Sequence, residues 1–161
     1  MRPPVLRARH GVAVALAAGV IAVGWAGCTP LEPDVGPPLA GGCKDADRHP
    51  EATVSFSGQI RPLISRAMGG CGCHLPTGAG QGPAIQLVGL NLGSLASLRA
   101  GGVNSGAQIV VAGQPCDSIL YQKVSEAPPF GSRMPLNGPP YLTAEELGLL
   151  HDWIAEGALD N

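Results

Sequence analysis

Glycine and proline together fill 40 of the 161 positions, 24 Gly and 16 Pro, and that density forbids long regular elements. Glycine loses more backbone entropy than any other residue on entering a helix or strand, and proline withdraws an amide donor from either. A chain of this kind folds, if it folds, as short segments between punctuated loops, near the composition at which order itself becomes difficult. Only six residues are aromatic, two each of Phe, Trp and Tyr, a thin supply for an ordinary apolar core. A buried prosthetic group would add apolar surface that the side chains lack.

Within that limit, four stretches carry helical signals. Phe56, Ile60, Leu63 and Ile64 recur at helical spacing, and Pro62 is compatible with them only if a helix starts within a turn of it. Leu92, Leu95 and Leu98 mark a second helix, opened by Ser94 and stopped by Gly101-Gly102. Asp117 or Ser118 can cap a third, carrying Ile119, Leu120 and Tyr121. In the last helix Thr143 is the N-cap, Glu146 completes a capping box, Leu142 can staple onto Leu147 and Gly157 is the stop. Leu147, Leu150 and Ile154 form its apolar face with Trp153 beside it, so Trp153 and Phe56 are expected to pack the terminal helices together. His151 is expected near the solvent edge. No run alternates as a half-buried strand does, so the expected class is all-α. Three to four short helices with long Gly/Pro-rich loops would occupy residues 52–161.

Residues 1–27 read as an export signal of lipoprotein type. Arg2, Arg7 and Arg9 make a basic start, and Gly11 through Trp25 form an apolar stretch of signal-peptide length, too short to span a bilayer. Trp25-Ala26-Gly27-Cys28 resembles a lipobox, with Trp25 where Leu is usual. Cys28 is therefore the expected lipidation site, and plain signal cleavage is the alternative. Thr29, with no acidic residue beside it, favours the outer membrane among similar lipoproteins. Cleavage before Cys28 removes three arginines and leaves 7 basic against 12 acidic residues, a net charge of −5. With no basic run, nucleic acid is not an expected partner. Residues 28–51, rich in Pro and Gly and then in charge, read as a linker that holds a domain off a membrane.

One short motif carries chemistry. Cys71-Gly72-Cys73-His74 is one residue away from the Cys-x-x-Cys-His pattern of c-type haem attachment. On an α-helix, residues three apart are about 60° apart around the axis, and residues two apart about 160°. Cys71 and Cys73 therefore cannot both reach one porphyrin edge from regular helix. A mononuclear zinc or copper site is a third reading, with Cys71, Cys73 and His74 joined by Cys116 or Met134. Catalytic signatures are missing: Gly78 to Gly82 lacks the phosphate-loop lysine, and Glu145 and Glu146 belong to a helix start. An electron carrier is expected rather than an enzyme.

The order of elements resembles small cytochromes c, and within that family the lipoprotein-borne domains of planctomycete type. The stretches that carry the resemblance are Phe56-Ser57-Gly58-Gln59-Ile60-Arg61-Pro62, Gly89-Leu90-Asn91-Leu92, and Gly113-Gln114-Pro115 running into Ser118-Ile119-Leu120-Tyr121. Ser132-Arg133-Met134-Pro135 and Asp152-Trp153-Ile154-Ala155-Glu156-Gly157-Ala158 complete it, over essentially the whole domain. The resemblance implies one haem c, with His74 as proximal and Met134 as distal iron ligand. It implies a single thioether at Cys73, Cys71 being a possible attachment residue of non-standard spacing. It also implies one-electron exchange with other redox proteins of the cell envelope.

Cys43, Cys71, Cys73 and Cys116 would lie in an oxidising compartment. With haem on Cys73, one disulfide is expected among the rest, Cys71–Cys116 or Cys43–Cys116. Without haem, two cross-pairings tie the Cys71–His74 turn to distant segments, and the domain is a disulfide-stapled structural or interaction module.

Overall fold

In a computed structural model, which describes residues 42–77 and 80–161, Ser55 opens the first helical segment by accepting from the Gly58 amide (3.4 Å). A wide π-type turn, Phe56–Ile60, comes first: the Ile60 amide bonds back five residues to Ser55 O (3.3 Å). Helix α1, Arg61–Ser65, follows directly. Pro62 thus falls in the first turn of α1, at the junction with the π-type turn, where the backbone hydrogen-bond pattern changes.

Helix α2, Pro83–Val88, lies where no helix was expected. Pro83 starts it, and Gly89, at φ +70°, closes it with a hydrogen bond to Ile85 O (2.8 Å). At six residues it is too short to show a period, so only its Pro and Gly punctuation could have signalled it. Helix α3, Leu95–Ala100, begins at the Ser94 cap, reciprocated by Ser97, and ends at Gly101. Helix α4, Ile119–Val124, begins at Ser118, but that hydroxyl does not cap it. It accepts from the Val111 amide (2.8 Å) and donates to Gln114 O (2.9 Å), tying down the incoming loop. Helix α5, Ala144–Ala155, carries the expected capping box: Glu146 N donates to Thr143 Oγ1 (3.3 Å) and Thr143 N to Glu146 Oε2 (2.8 Å).

Single 3₁₀ turns occupy Gly72–His74, Gly106–Ile109 and Pro115–Asp117. Strands β1 (Pro76–Thr77) and β2 (Gly80–Gln81) pair antiparallel, Pro76 opposite Gln81 and Thr77 opposite Gly80. Two residues a side leave no alternation to read. The described residues are mostly helical, with five α-helical segments rather than three to four. None of their helices is long and apolar enough to cross a membrane. The export signal and Cys28 lie outside the described residues.

The core gathers on α5, where Leu150, Trp153 and Ile154 are fully buried. Phe56 meets Trp153 with ring centroids 5.7 Å apart, the expected junction of first and last helices. Arg66 forks onto both carboxylate oxygens of Glu146, so the end of α1 is bound to the start of α5.

The assignment of residues up to 51 to a solvated linker is corrected from Cys43 onward. Cys43 forms a disulfide with Cys116, so Cys71 takes no part in a disulfide and is a free thiol. Lys44 O accepts from His151 Nε2 (2.6 Å), and Asp45 accepts from the Cys116 amide (2.9 Å). Arg48 and His49 both reach Asp152, at 3.1 and 2.7 Å. His151 is therefore buried under this segment and not at a solvent edge. The same docking accounts for Gly148 in mid-helix, where glycine costs up to about 1 kcal/mol against alanine: a Cβ there would collide with the Arg48 guanidinium.

Two outcomes are expected. Trp153→Ala should cost about 3–5 kcal/mol and Thr143→Ala about 1 kcal/mol, read by urea unfolding. The second concerns pH. Burial alone pushes the Asp152 carboxyl up, but hydrogen bonds from His49, His151 and Arg48 outweigh it and bring it down to about 2. A carboxyl depressed on folding stabilises above its unfolded pKa of about 3.9, and that stability fades as pH falls toward the folded value. Asp152 should contribute about 2 kcal/mol above pH ~4. Asp152→Asn should flatten the loss between pH ~4 and ~2; an unchanged acid slope would contradict it.

Candidate functional site

The site begins where α1 ends. Gly69 turns the chain with φ +67°, and the Cys71 amide bonds back to Ile64 O (2.7 Å). The 3₁₀ turn follows, held by His74 N to Cys71 O (2.9 Å) and Leu75 N to Gly72 O (3.1 Å). Cys71, the N-cap of this turn, and His74, its last residue, are both buried, at 7% and 8% exposure, while Cys73 between them is exposed. Gly82 backs the turn closely: a Cβ there would stand 2.5 Å from Cys73 O and 2.6 Å from Leu75 O.

His74 Nδ1 lies 3.1 Å from Leu90 O. A carbonyl only accepts, so Nδ1 carries the proton and Nε2 keeps its lone pair. Burial lowers the His74 pKa, the Lys123 charge adds to the lowering, and the Leu90 bond opposes it. The ring is neutral at pH 7, with a nitrogen available for coordination. A backbone carbonyl that fixes the tautomer in this way is the usual partner of a metal-binding imidazole.

The opposite wall is α4 with the loop 130–136. Met134 N donates to Lys123 O (2.7 Å), and Arg133 Nε to Val124 O (3.0 Å). Lys123 Nζ donates to Phe130 O and Ser132 O, both at 2.6 Å, and stands over the Phe130 ring at 4.8 Å. Arg133 lies 4.2 Å over the Tyr141 ring. Four hydrogen bonds and one cation–π contact with the end of α4 thus fix the segment that presents Met134. Between the walls is a cavity of about 270 Å³, lined mainly by apolar side chains, Leu90, Leu92, Ile109 and Leu120 among them, with Leu136 largely exposed.

That cavity brings together His74, Met134 and Cys71, and leaves out Cys73. Burial first, then the neighbouring Cys73, push the Cys71 thiol up to about 11. The zinc or copper set expected from Cys71, Cys73 and His74 does not converge, since the 3₁₀ turn points Cys73 away. Cys43, Cys116 and His151 have potential ligand atoms within 4.8 Å of one another. Both sulfurs are spent in the disulfide, however, and both ring nitrogens already have partners. Sequence reading missed Lys123 and Leu90. The only hint of the first was a lysine amid Ile119, Leu120 and Val124; a backbone acceptor such as Leu90 O leaves no trace in residue identity.

No protein-family model, curated protein or solved structure matches the chain.

Lys123→Met should release the 130–134 segment. Hydrogen bonds from a charged donor are worth about 1.5–3 kcal/mol each at most, so a loss of about 2–3 kcal/mol is expected in urea unfolding. Faster amide exchange across 130–134 should accompany it. Equal protection in wild type and variant would show that Nζ does not hold the loop.

Proposed function

We propose that this chain is a cytochrome c-like electron carrier that binds one haem c between His74 and Met134. The observation that carries the reading is that these two residues, 60 positions apart in sequence, line one apolar cavity. The Nδ1 proton of His74 is already committed to Leu90 O.

The donor set fits the group. Imidazole and thioether are the two axial ligands of His/Met cytochromes, a pairing that raises the reduction potential. A cavity of about 270 Å³ is far more than a bare zinc or copper ion uses. It is also smaller than a porphyrin, so binding requires the 130–136 segment to yield or one edge to stay in solvent.

A bound haem supplies a one-electron ferric/ferrous couple. The chain's own work is to orient and insulate it. Leu90 O holds the His74 ring in one tautomer, and α4 with Lys123 presents Met134. Leu92, Ile109 and Leu120 exclude water, which favours the less charged ferrous state. With a lipid anchor at Cys28, the carrier would serve redox partners in the cell envelope, facing the periplasm or the cell surface.

A haemless structural or interaction module is the second reading. It is favoured by the Cys43–Cys116 disulfide, which staples the domain independently of the Cys71–His74 turn.

The test is a pyridine haemochrome spectrum of the full chain, exported from a bacterial host with cytochrome c maturation. Stoichiometric haem is expected in wild type. Met134→Ala should lower the potential by a fraction of the roughly 0.8 V that axial ligands span. Haem binding with an unchanged potential in Met134→Ala would remove Met134 as a ligand. Absence of haem from the wild-type protein would leave the module reading.

A further inference from the structure

We propose that the covalent bond to haem is made by the sulfur of Cys71, with Cys73 left as a free surface thiol. This rests on the haem reading above and concerns which atom makes the attachment; it replaces the sequence expectation of Cys73.

Three observations carry it. Cys71, the N-cap of the 3₁₀ turn, and His74, its last residue, are both more than nine-tenths buried. Cys71, His74 and Met134 line the same cavity, and Cys73 contributes nothing to that lining. Finally, the turn resists the rotation that would bring Cys73 inward. Such a rotation would break His74 N to Cys71 O and Leu75 N to Gly72 O. It would also move the Cys73 carbonyl, against which the backbone of Gly82 is packed. A group seated against His74 Nε2 therefore meets the Cys71 thiol from inside the cavity.

The reaction is an addition. The Cys71 sulfur bonds to one carbon of a haem vinyl group, and the thiol hydrogen is delivered to the other carbon. One C=C π bond and one S–H bond are lost, one C–S and one C–H bond are gained, nothing leaves, and no external oxidant or reductant is consumed. Thiolate is the reactive form of a cysteine. A thiol as desolvated as Cys71 is therefore slow to add unaided, so the bond needs a host that matures c-type cytochromes.

The experiment uses the full-length chain from such a host. A native absorption spectrum first records whether haem is present. The protein is then denatured, its free thiols are alkylated, and the peptide spanning Cys71 and Cys73 is fragmented by mass spectrometry. One haem on Cys71 with the alkyl group on Cys73 is expected. Cys71→Ser should lose covalent haem on a denaturing gel, and Cys73→Ser should keep it. The wild-type fragment map does not depend on how either variant folds. Haem on Cys73 or on both cysteines would overturn the Cys71 assignment and leave the haem c reading standing; haem bound but released by denaturation would overturn the assignment and leave only a non-covalent haem between His74 and Met134. A wild-type spectrum with no haem would overturn both.

Discussion

The carbonyl oxygen of Leu159 accepts two hydrogen bonds, one from the indole of Trp153 at 2.8 Å and one from the Phe56 amide at 3.2 Å. Through that one acceptor the end of the chain is bound to the first helical segment and to the centre of α5. A chain with so few aromatic residues has little else to concentrate burial. Phe56 and Trp153 meet at this point with 2% and 0% exposure. A buried indole needs a partner for its N–H, so residues 157–159 must turn back over α5. They do so with Gly157 at φ +102° and Ala158 at φ +57°. Arg99 Nη2 donates to Ala158 O (2.7 Å), and Asp160 accepts from the Ser57 amide (2.8 Å), so α3 and the first turn join the same junction.

A second junction lies on another side of α5, at Asp152. Its carboxylate receives hydrogen bonds from Arg48, His49 and His151. His151 Nε2 also lies 2.6 Å from Lys44 O. Cys43–Cys116 adds a covalent link across 73 residues of sequence. In the chain-entropy view, closing a loop of that length is worth about 4 kcal/mol. These contacts turn residues 43–49, which composition describes as solvated tether, into part of the domain.

Neither junction shares a residue with the lining of the His74–Met134 cavity. The contacts that close the fold thus operate independently of any ligand, and the cavity is built from a different set. One wall is the 3₁₀ turn with Leu90. Its other wall is a loop whose position depends on Lys123, Arg133 and one backbone bond from Met134. Such a division suits a binding site: the His74 side is fixed by backbone hydrogen bonds of the turn, and the Met134 side by a few contacts from α4.

What the sequence determined by itself was local. Ser94 and Thr143 as caps, Glu146 in its capping box, Gly101 as a stop and Pro62 in a first turn all depend on groups within four residues of one another, and residue identity suffices for them. Phe56 with Trp153 was also legible, because each is the one large aromatic on a terminal apolar face. His74 and Met134 could be picked out as candidates from their order in the chain. That they share a cavity, that Leu90 O fixes the His74 tautomer, and that Cys43 takes Cys116 were decided by tertiary structure. So was the choice between the two neighbouring thiols. α-Helical spacing says only that Cys71 and Cys73 diverge. Which of them faces inward depends on the 3₁₀ geometry of the turn and on Gly82 packed behind it, and Gly82 is brought there by a backbone path that no local rule contains.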